Sequence, residues 1–470
     1  MKETSIYYQM AMARAFRPKN RMAIVIKSGN AQFAFYDDTI ISAKKIDDVD
    51  PITRRLPKHT FEFSIADYND EYNPSNPSGK WESVDENAVV TVVIGLELYD
   101  GTTEWLTPDI YYLEGKPQVS NGIASFKAVS TLSILTNKFY KITAGSHTFY
   151  ELAIAILQDA GVTNYSVSEE LKNYTTTAPL PIDTAANLLQ MIAHATSCVL
   201  TAQRGKITIA PYEIDEIQYD GNPITLQDIA MNGDKVGKIE PLYKVQANRY
   251  TYSTEQTKEL YKTNISLSGT TTYHCEFQAA TNVSISTTAT IVSSNIYARA
   301  ADITLSGNGT YQIIISGKPY TSVVDVAEII ASSDTKGGVD LENNVLVTNE
   351  ATRTKLLART RDYLSLRLTH EIQYRGNPEI ETLDGIYLQS QYAMSDAIVL
   401  STTLNYNGAI SGTIVAKAIQ DTASVDLYDA NNQQVEDYTG ETIKVLGTND
   451  YKSGFTYEQM NEFCQQVLGG

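Results

Sequence analysis

Cysteine, tryptophan, histidine and positive charge are all scarce in this chain, and each scarcity removes a class of function. The three cysteines among 470 residues, Cys198, Cys275 and Cys464, stand far apart with no CxxC spacing. That excludes a disulfide framework and a thiolate zinc cluster, leaving them as small buried thiols. The five histidines, His59, His147, His194, His274 and His370, form neither HExxH nor a pair at helical ligand spacing. Lys and Arg number 37 against 55 Asp and Glu, a net charge of −18. Such a chain does not grip phosphate by counterion release, so nucleic acid is not a tight ligand. A like-charged wall still suits a surface past which a polyanion slides without sticking. No apolar run approaches the ~20 residues that cross a bilayer, and MKETSIYYQMAMARAF at the N-terminus lacks the apolar centre of a signal peptide.

The rest of the composition is that of a folded protein: 42% hydrophobic and 20% charged residues, with 27 Gly and 14 Pro. At ~150 residues per domain the length suggests about three domains. Residues 6–16 carry apolar side chains at helical spacing and stop at Pro18. Strand patterns follow in MAIVIKS, AQFAFY, TIISAKKI, HTFEFSIAD and AVVTVVIGLELY. The intervening NDEYNPSNPSGKW reads as a multi-turn loop in which Pro74 and Pro77 fix φ and Gly79 permits a positive φ. Residues 146–211 differ: Thr148 and Glu151 form a capping-box pair, Asp183 caps a second helix bearing Leu188, Leu189, Ile192 and Ala195, and CVLTA-QRGK-ITIAP makes two strands around a turn. This is a small α/β unit inserted in β-rich sequence. Between residues 240 and 325 further strands are expected, punctuated by turns at SGNG (306–309) and SGKPY (316–320). Asn349 or Thr348 then caps a helix with Leu356, Leu357, Thr360, Tyr363 and Leu364 on one face, and the last fifty residues are polar and acidic, ending in FTYEQMNEFCQQVLGG, a terminal helix or a peptide arm.

Catalytic machinery is hard to find. His194 lies four residues before Cys198 with no third partner, and the strand run Tyr273-His274-Cys275-Glu276 turns its His and Cys to opposite faces. GxxxxGK[ST] and GxSxG are absent. The acidic pairs Asp37-Asp38, Asp47-Asp48 and Glu436-Asp437 flank turns and read as solvated rather than as opposed glycosidase carboxylates. Asp429-Ala-Asn431-Asn432 lacks the glycine of a calcium loop and reads as an Asx turn. Tyrosine, by contrast, is abundant at 31 residues against 11 Phe and 2 Trp. It suits surfaces that are wet before assembly and buried after it, and it also favours strands. An assembly component is favoured over an enzyme, with no cofactor and no metal implied.

Several segments in order resemble the baseplate or tail hub proteins of tailed bacteriophages and related contractile injection systems. They are ISAKKIDDVDPITRRLPKHTFEFSIAD, YNPSNPSGKW, VVTVVIGLEL and IYYLEGKPQVSNGIASFKA, then DTAANLLQMIAHATSCVL with RGKITIAP, then ISGKPY, ENNVLVTNEATRTKLLARTRDYL, YRGNPEIETLDGIYLQS and LNYNGAISGTIVAK. They span about residues 20–419. The residues that carry the turn motifs are Asn73, Pro74 and Gly79, then Arg375, Gly376, Asn377, Pro378 and Asp384, and finally Asn407 and Gly408. Gly376 and Pro378 turn the chain between strands, Asp384-Gly385 makes a second bend, and Asn407-Gly408 turns the last hairpin.

The resemblance implies a β-rich α+β fold: two tail-tube-like β-barrel domains with an inserted small α/β domain. The expected boundaries are an N-terminal helix or arm at 1–20, a first tube-like domain at 21–140 completed by about 212–250, the insert at 141–211, a second tube-like domain at 251–419 with a helix near 349–366, and an acidic extension at 420–470. It further implies a homotrimer forming a pseudo-sixfold ring in the virion's tail tip or baseplate, made in the host cytoplasm. That ring would meet a tail tube or distal tail protein on one face and a spike, fibre or tip protein on the other, with transient passage of DNA. The ~50 residues after the last motif are too short for a lysozyme or peptidase domain, and the acidic arm is expected to bind a neighbouring tail component. The competing readings are a receptor-binding or carbohydrate-binding tail protein, supported by the tyrosines and by Trp81 and Trp105, and a cell-wall hydrolase, for which paired acids or a metal triad are missing.

Overall fold

The structure, a computed structural model, describes residues 1–13, 19–212, 224–240, 242–331, 337–389 and 394–418. The acidic extension, Cys464, Asp429 and Glu436-Asp437 lie outside the described residues, as does Pro18. The chain is β-rich, with large antiparallel sheets and few helices. A short helix α1 (Ile6–Met12), capped by the Ser5 side chain, opens it. The first β-block follows as β1 (Asn20–Ser28), β2 (Ala31–Tyr36), β3 (Ile40–Asp48), β4 (Lys58–Ala66), β5 (Val89–Glu97), β6 (Asp109–Leu113), β7 (Gln118–Ser120) and β8 (Ile123–Val129). Alternate residues of these strands bury a core rich in phenylalanine. Phe63 stacks on Phe126 at 4.7 Å, with Phe35, Phe61 and Tyr72 packed around them.

The insert contains α2 (Phe149–Asp159), α3 (Ala185–Ala195), β9 (Cys198–Thr201) and β10 (Ile207–Pro211). The Thr148–Glu151 capping box forms as the spacing requires, each side chain accepting the other's backbone N–H. At the second helix the cap is Thr184 rather than Asp183. The Thr184 hydroxyl accepts the Asn187 N–H, while Asp183 accepts the N–H of Thr184 and the Asn187 side-chain amide from one residue outside. Every residue of α3 except Asn187 is buried, as befits a helix apolar on nearly all sides.

After the insert come β11 (Ile229–Lys238), β12 (Lys244–Thr254), β13 (Lys258–Glu276) and β14 (Ala300–Ile330). The turn signals at 306–309 and 316–320 do not turn the chain: both lie inside β14, which runs unbroken for 31 residues. The physical reason is tertiary. One edge of β14 pairs with β13 from Gly317 back to Ala300 and with β12 from Tyr320 to Ile330, so a continuous ladder overrides local turn propensity. Gly269 and Gly309 keep φ of +116° and +131° within this ladder, a backbone conformation open to glycine.

Helix α4 (Glu350–Ser365) is capped by Asn349, whose side chain accepts the Thr352 N–H. It buries Leu356, Leu357 and Tyr363, and the first two join the core of the insert. The chain closes with β15 (Leu368–Tyr374), β16 (Gly385–Gln389), β17 (Met394–Tyr406) and β18 (Ile410–Ala418).

One fourteen-stranded sheet contains strands of both β-blocks, in the order β11-β15-β18-β17-β3-β4-β8-β6-β5-β1-β2, with β16 on β17, β7 on β8 and Thr103–Trp105 on β5. Among the described residues of 212–250 no strand pairs with the first β-block: β11 pairs with β15 of the C-terminal block, and β12 pairs with β14. Residues 258–330 likewise stand apart from strands β15–β18, in a six-stranded sheet of their own with β12. Hydrogen-bonded pairing decides these memberships, and strand-rich composition is blind to it.

Candidate assembly surface

Strand β3 of the first block pairs antiparallel with β17 of the second, from Ala43↔Tyr406 to Asp48↔Ser401. The ladder continues where Val49 donates its N–H to the Leu400 carbonyl at 3.0 Å. Two blocks from opposite ends of the sequence are thus joined edge to edge. At a net of roughly 0.5–1.5 kcal/mol per hydrogen bond, this seam is a substantial bond between them. The Tyr406 hydroxyl adds a contact at 3.1 Å to Asp37, which also accepts the Met22 N–H and pairs with Arg21.

Beneath the seam lies a buried ionic network. β3 places Ala43, Lys45 and Asp47 on its inward face. The Lys45 ammonium lies 2.9 Å from Asp109 and 3.1 Å from Asp47, and Lys2 reaches the same Asp109 oxygen at 2.8 Å. The four side chains are nearly sealed from solvent. Burial alone would push both carboxyls up. Lys45 first, with Lys2 on Asp109 and His59 on Asp47, outweighs burial and holds them below the usual carboxylate range. Burial opposes the Lys45 charge as well, yet Asp109 and then Asp47 keep its ammonium well above its ordinary value. His59, also buried, accepts the Ala202 N–H through Nε2 at 3.4 Å, so its Nδ1–H donates to Asp47 at 2.9 Å. The network thereby reaches the insert. The reading of Asp47-Asp48 as a solvated pair is corrected at Asp47, which is buried because strand alternation turns it inward beside Lys45.

The loop from Arg375 to Asp384 closes over this region. Gly376 has φ +78°, and a Cβ there would lie 2.5 Å from the Ile410 side chain, so glycine is required for conformation and for space. The buried Asn377 accepts the Glu379 N–H and donates to its carboxylate, and its own N–H goes to the Tyr374 hydroxyl. Pro378 is buried beside it. Arg375 pairs with Asp228 at 3.2 Å. The bend expected at Asp384-Gly385 is made one residue earlier, by Leu383 at φ +73°, while Gly385 already begins β16. Asp384 accepts the Glu381 N–H and pairs with the α-amino group of Met1, and Glu381 pairs with Arg204 of the insert. The Lys2 N–H donates to the Glu379 carbonyl.

The other sequence motifs are turns. Asn407 and Gly408, the latter at φ +89°, connect β17 to β18. The loop holding Asn73, Pro74 and Gly79 is a run of turns, each closed by an N–H bonded to the carbonyl three residues back, at Asp70, Asn73, Asn76 and Gly79. Asp67 fixes its start by accepting the N–H groups of Glu71 and Tyr72. Gly79 does not supply the left-handed residue; Asp70 does, at φ +53°. Glycine is needed at 79 because a Cβ would come within 2.5 Å of the Glu71 carbonyl. Of the two tryptophans, Trp81 donates to the Pro117 carbonyl under the Lys116 ammonium, and Trp105 is about half exposed.

The side of the sheet opposite this core is open. Across the seam its register runs Ser125–Ser64–Ser42 in one row, Lys127–Glu62–Lys44–Asn405–Ser411 in the next, and Ile46–Thr403–Thr413–Gln373 in another. Hydroxyls and amides predominate. Lys44 and Lys127 flank Glu62, and Lys235 meets Glu371 at 3.2 Å, so charges of opposite sign stand next to one another.

The chain is similar in structure to bacteriophage tail proteins. A tail protein from Neisseria meningitidis MC58 aligns over 84% of this chain and 96% of its own, with a TM-score of 0.47 and 9% identity. The 43 kDa tail protein of prophage MuSo2 from Shewanella oneidensis aligns over 84% and 98%, with a TM-score of 0.45 and 9% identity. A component of the type VI secretion system of E. coli aligns over 82% and 74%, with a TM-score of 0.38 and 8% identity. No protein-family model and no curated protein matches the sequence.

Among the described residues no group of three or more His, Cys, Asp or Glu side chains is arranged to hold a metal ion, and no helix is long and apolar enough to cross a membrane. Cys275 packs into the core of its sheet while His274 faces the other way, 2.7 Å from Asp302. His194 is buried, and its Nδ1 accepts from Asn344 at 3.1 Å. Sequence reasoning missed the Lys2–Lys45–Asp109 network. The available signal was a lysine and an aspartate at the inward phase of ISAKKIDD, where apolar residues are the rule.

Proposed function

We propose that this chain is a structural component of a phage-type tail hub: a homotrimer in which each copy contributes two β-blocks to a pseudo-sixfold ring. The ring joins a sixfold tail tube or distal tail protein to a threefold spike, fibre or tip protein and forms part of the channel for DNA. The observation that carries this reading is the β3–β17 seam, by which one chain presents two laterally bonded β-blocks in one sheet. Three such pairs, closed cyclically, give six blocks around an axis. The ordered sequence motifs over residues 20–419 support the same assignment. The open face of the sheet is a suitable channel wall, because its hydroxyls, amides and pairwise-cancelled charges offer DNA no continuous basic track.

The test is the solution mass by light scattering, with negative-stain images of the same sample. Three copies of the 51.9 kDa chain in a ring with a central hole are expected. A monomer at every concentration that binds glycans would overturn it in favour of a carbohydrate-binding tail protein, the reading that exposed Trp105 and Tyr68 favour.

A further inference from the structure

Among the described residues, β11 ends the fourteen-stranded sheet on its C-terminal-block side and is uncovered on its outer edge and both faces from Lys235 onward. Its one ladder partner among the described residues is β15, and every residue from Lys235 to Glu240 is exposed, on both faces of the strand. Interior strands of the same sheet instead alternate buried with open positions, as β15 and β18 do. The register fixes which backbone groups are unused. Ile239 donates its N–H to the Arg367 carbonyl at 2.9 Å, so by antiparallel alternation residues 235, 237 and 239 bond inward to β15. The N–H and C=O groups of Asp234, Val236 and Lys238 point away from the sheet. Apolar side chains flank this edge: Val236 is 37% exposed, Ile239 40% and Met231 95%. A bare apolar edge of this kind pairs with another strand unless something covers it.

We propose that β11 is the strand on which a second copy of this chain docks, its outward N–H and C=O groups continuing the sheet into the first β-block of the neighbouring copy. The inference rests on the ring reading above and names its between-copy seam. Two observations select a second copy as the occupant. The chain already joins its own blocks by antiparallel edge pairing at β3–β17, in the same sheet and two strands away from β15. Each copy holds one internal seam and one bare β11 edge, so a closed ring uses up every such edge, whereas an open chain of copies would leave one exposed.

The test uses the full-length chain and two variants. Val236→Pro removes an outward N–H and adds a ring that blocks strand addition, while leaving the inward ladder donors at 235 and 237 intact. The double variant Val236→Lys, Ile239→Lys covers the case in which proline disturbs the fold, by placing two charges on the edge. Light scattering at matched concentration, with circular dichroism and melting as controls, gives the result. A trimeric wild type and folded variants whose mass falls threefold support the seam. Folded variants that remain trimeric overturn the seam and leave the ring reading standing. A wild type that stays monomeric, with the Val236 and Lys238 amides exchanging freely, overturns both.

Discussion

Replacing Asp109 with alanine is the most informative single perturbation of the fold. One carboxylate serves two ammonium groups, Lys2 at 2.8 Å and Lys45 at 2.9 Å, in a site where all three side chains are almost fully buried. Its removal leaves Lys2 with the Thr107 carbonyl and Lys45 with Asp47 alone, so net positive charge is stranded in a low-dielectric interior. Breaking a buried pair from one side costs roughly 3–5 kcal/mol. For a cooperative unit of 150–250 residues that lowers the midpoint by on the order of 10 °C. Because Asp109 and Asp47 both titrate below their ordinary range, the stability they confer is present above the unfolded carboxylate value near ~3.9 and is lost as pH falls through the folded values. The gap between wild type and Asp109→Ala should therefore stay constant from about pH 5 to 8 and narrow in stronger acid. Calorimetry and urea unfolding across that range provide the measurement. A loss under about 1 kcal/mol at neutral pH would show that water or rearrangement compensates the stranded lysines, and the argument from burial would fail. Replacing Lys2 and Asp109 together with apolar residues of similar volume leaves Lys45 paired with Asp47 and should recover much of the loss, since the penalty comes from unpaired charge rather than from a missing bond.

Gly376→Ala forces a side chain onto a left-handed residue and into the Ile410 methyl, and a loss of at least about 2 kcal/mol is expected from urea titration. A neutral effect would mean that the 375–384 loop shifts freely. His194 is held neutral down to about 4, first by burial and then by the Arg54 charge. The unfolded chain takes up a proton near ~6.5 that the folded chain refuses, so stability falls as pH drops from about 6.5 to 4. His194→Gln should flatten that segment of the stability–pH curve, and an unchanged slope would assign it to other groups.

The local architecture was legible in the sequence wherever short-range physics decides it. The Thr148–Glu151 box, the Asn349 cap, the strand runs MAIVIKS to AVVTVVIGLELY and the hairpin at Asn407-Gly408 depend on residues within a few positions of one another. What the tertiary structure decided is non-local. The turn signals in β14 became strand because β12 and β13 supply ladder partners along its whole length. Asp109 became a buried ion because Lys2 and Lys45 converge on it from distant parts of the chain, and β3 met β17 across more than 350 residues of chain. Hydrogen-bond pairing between distant edges, and the burial of a charge that only a distant partner makes tolerable, are energies of the folded arrangement and have no local pattern from which to be read.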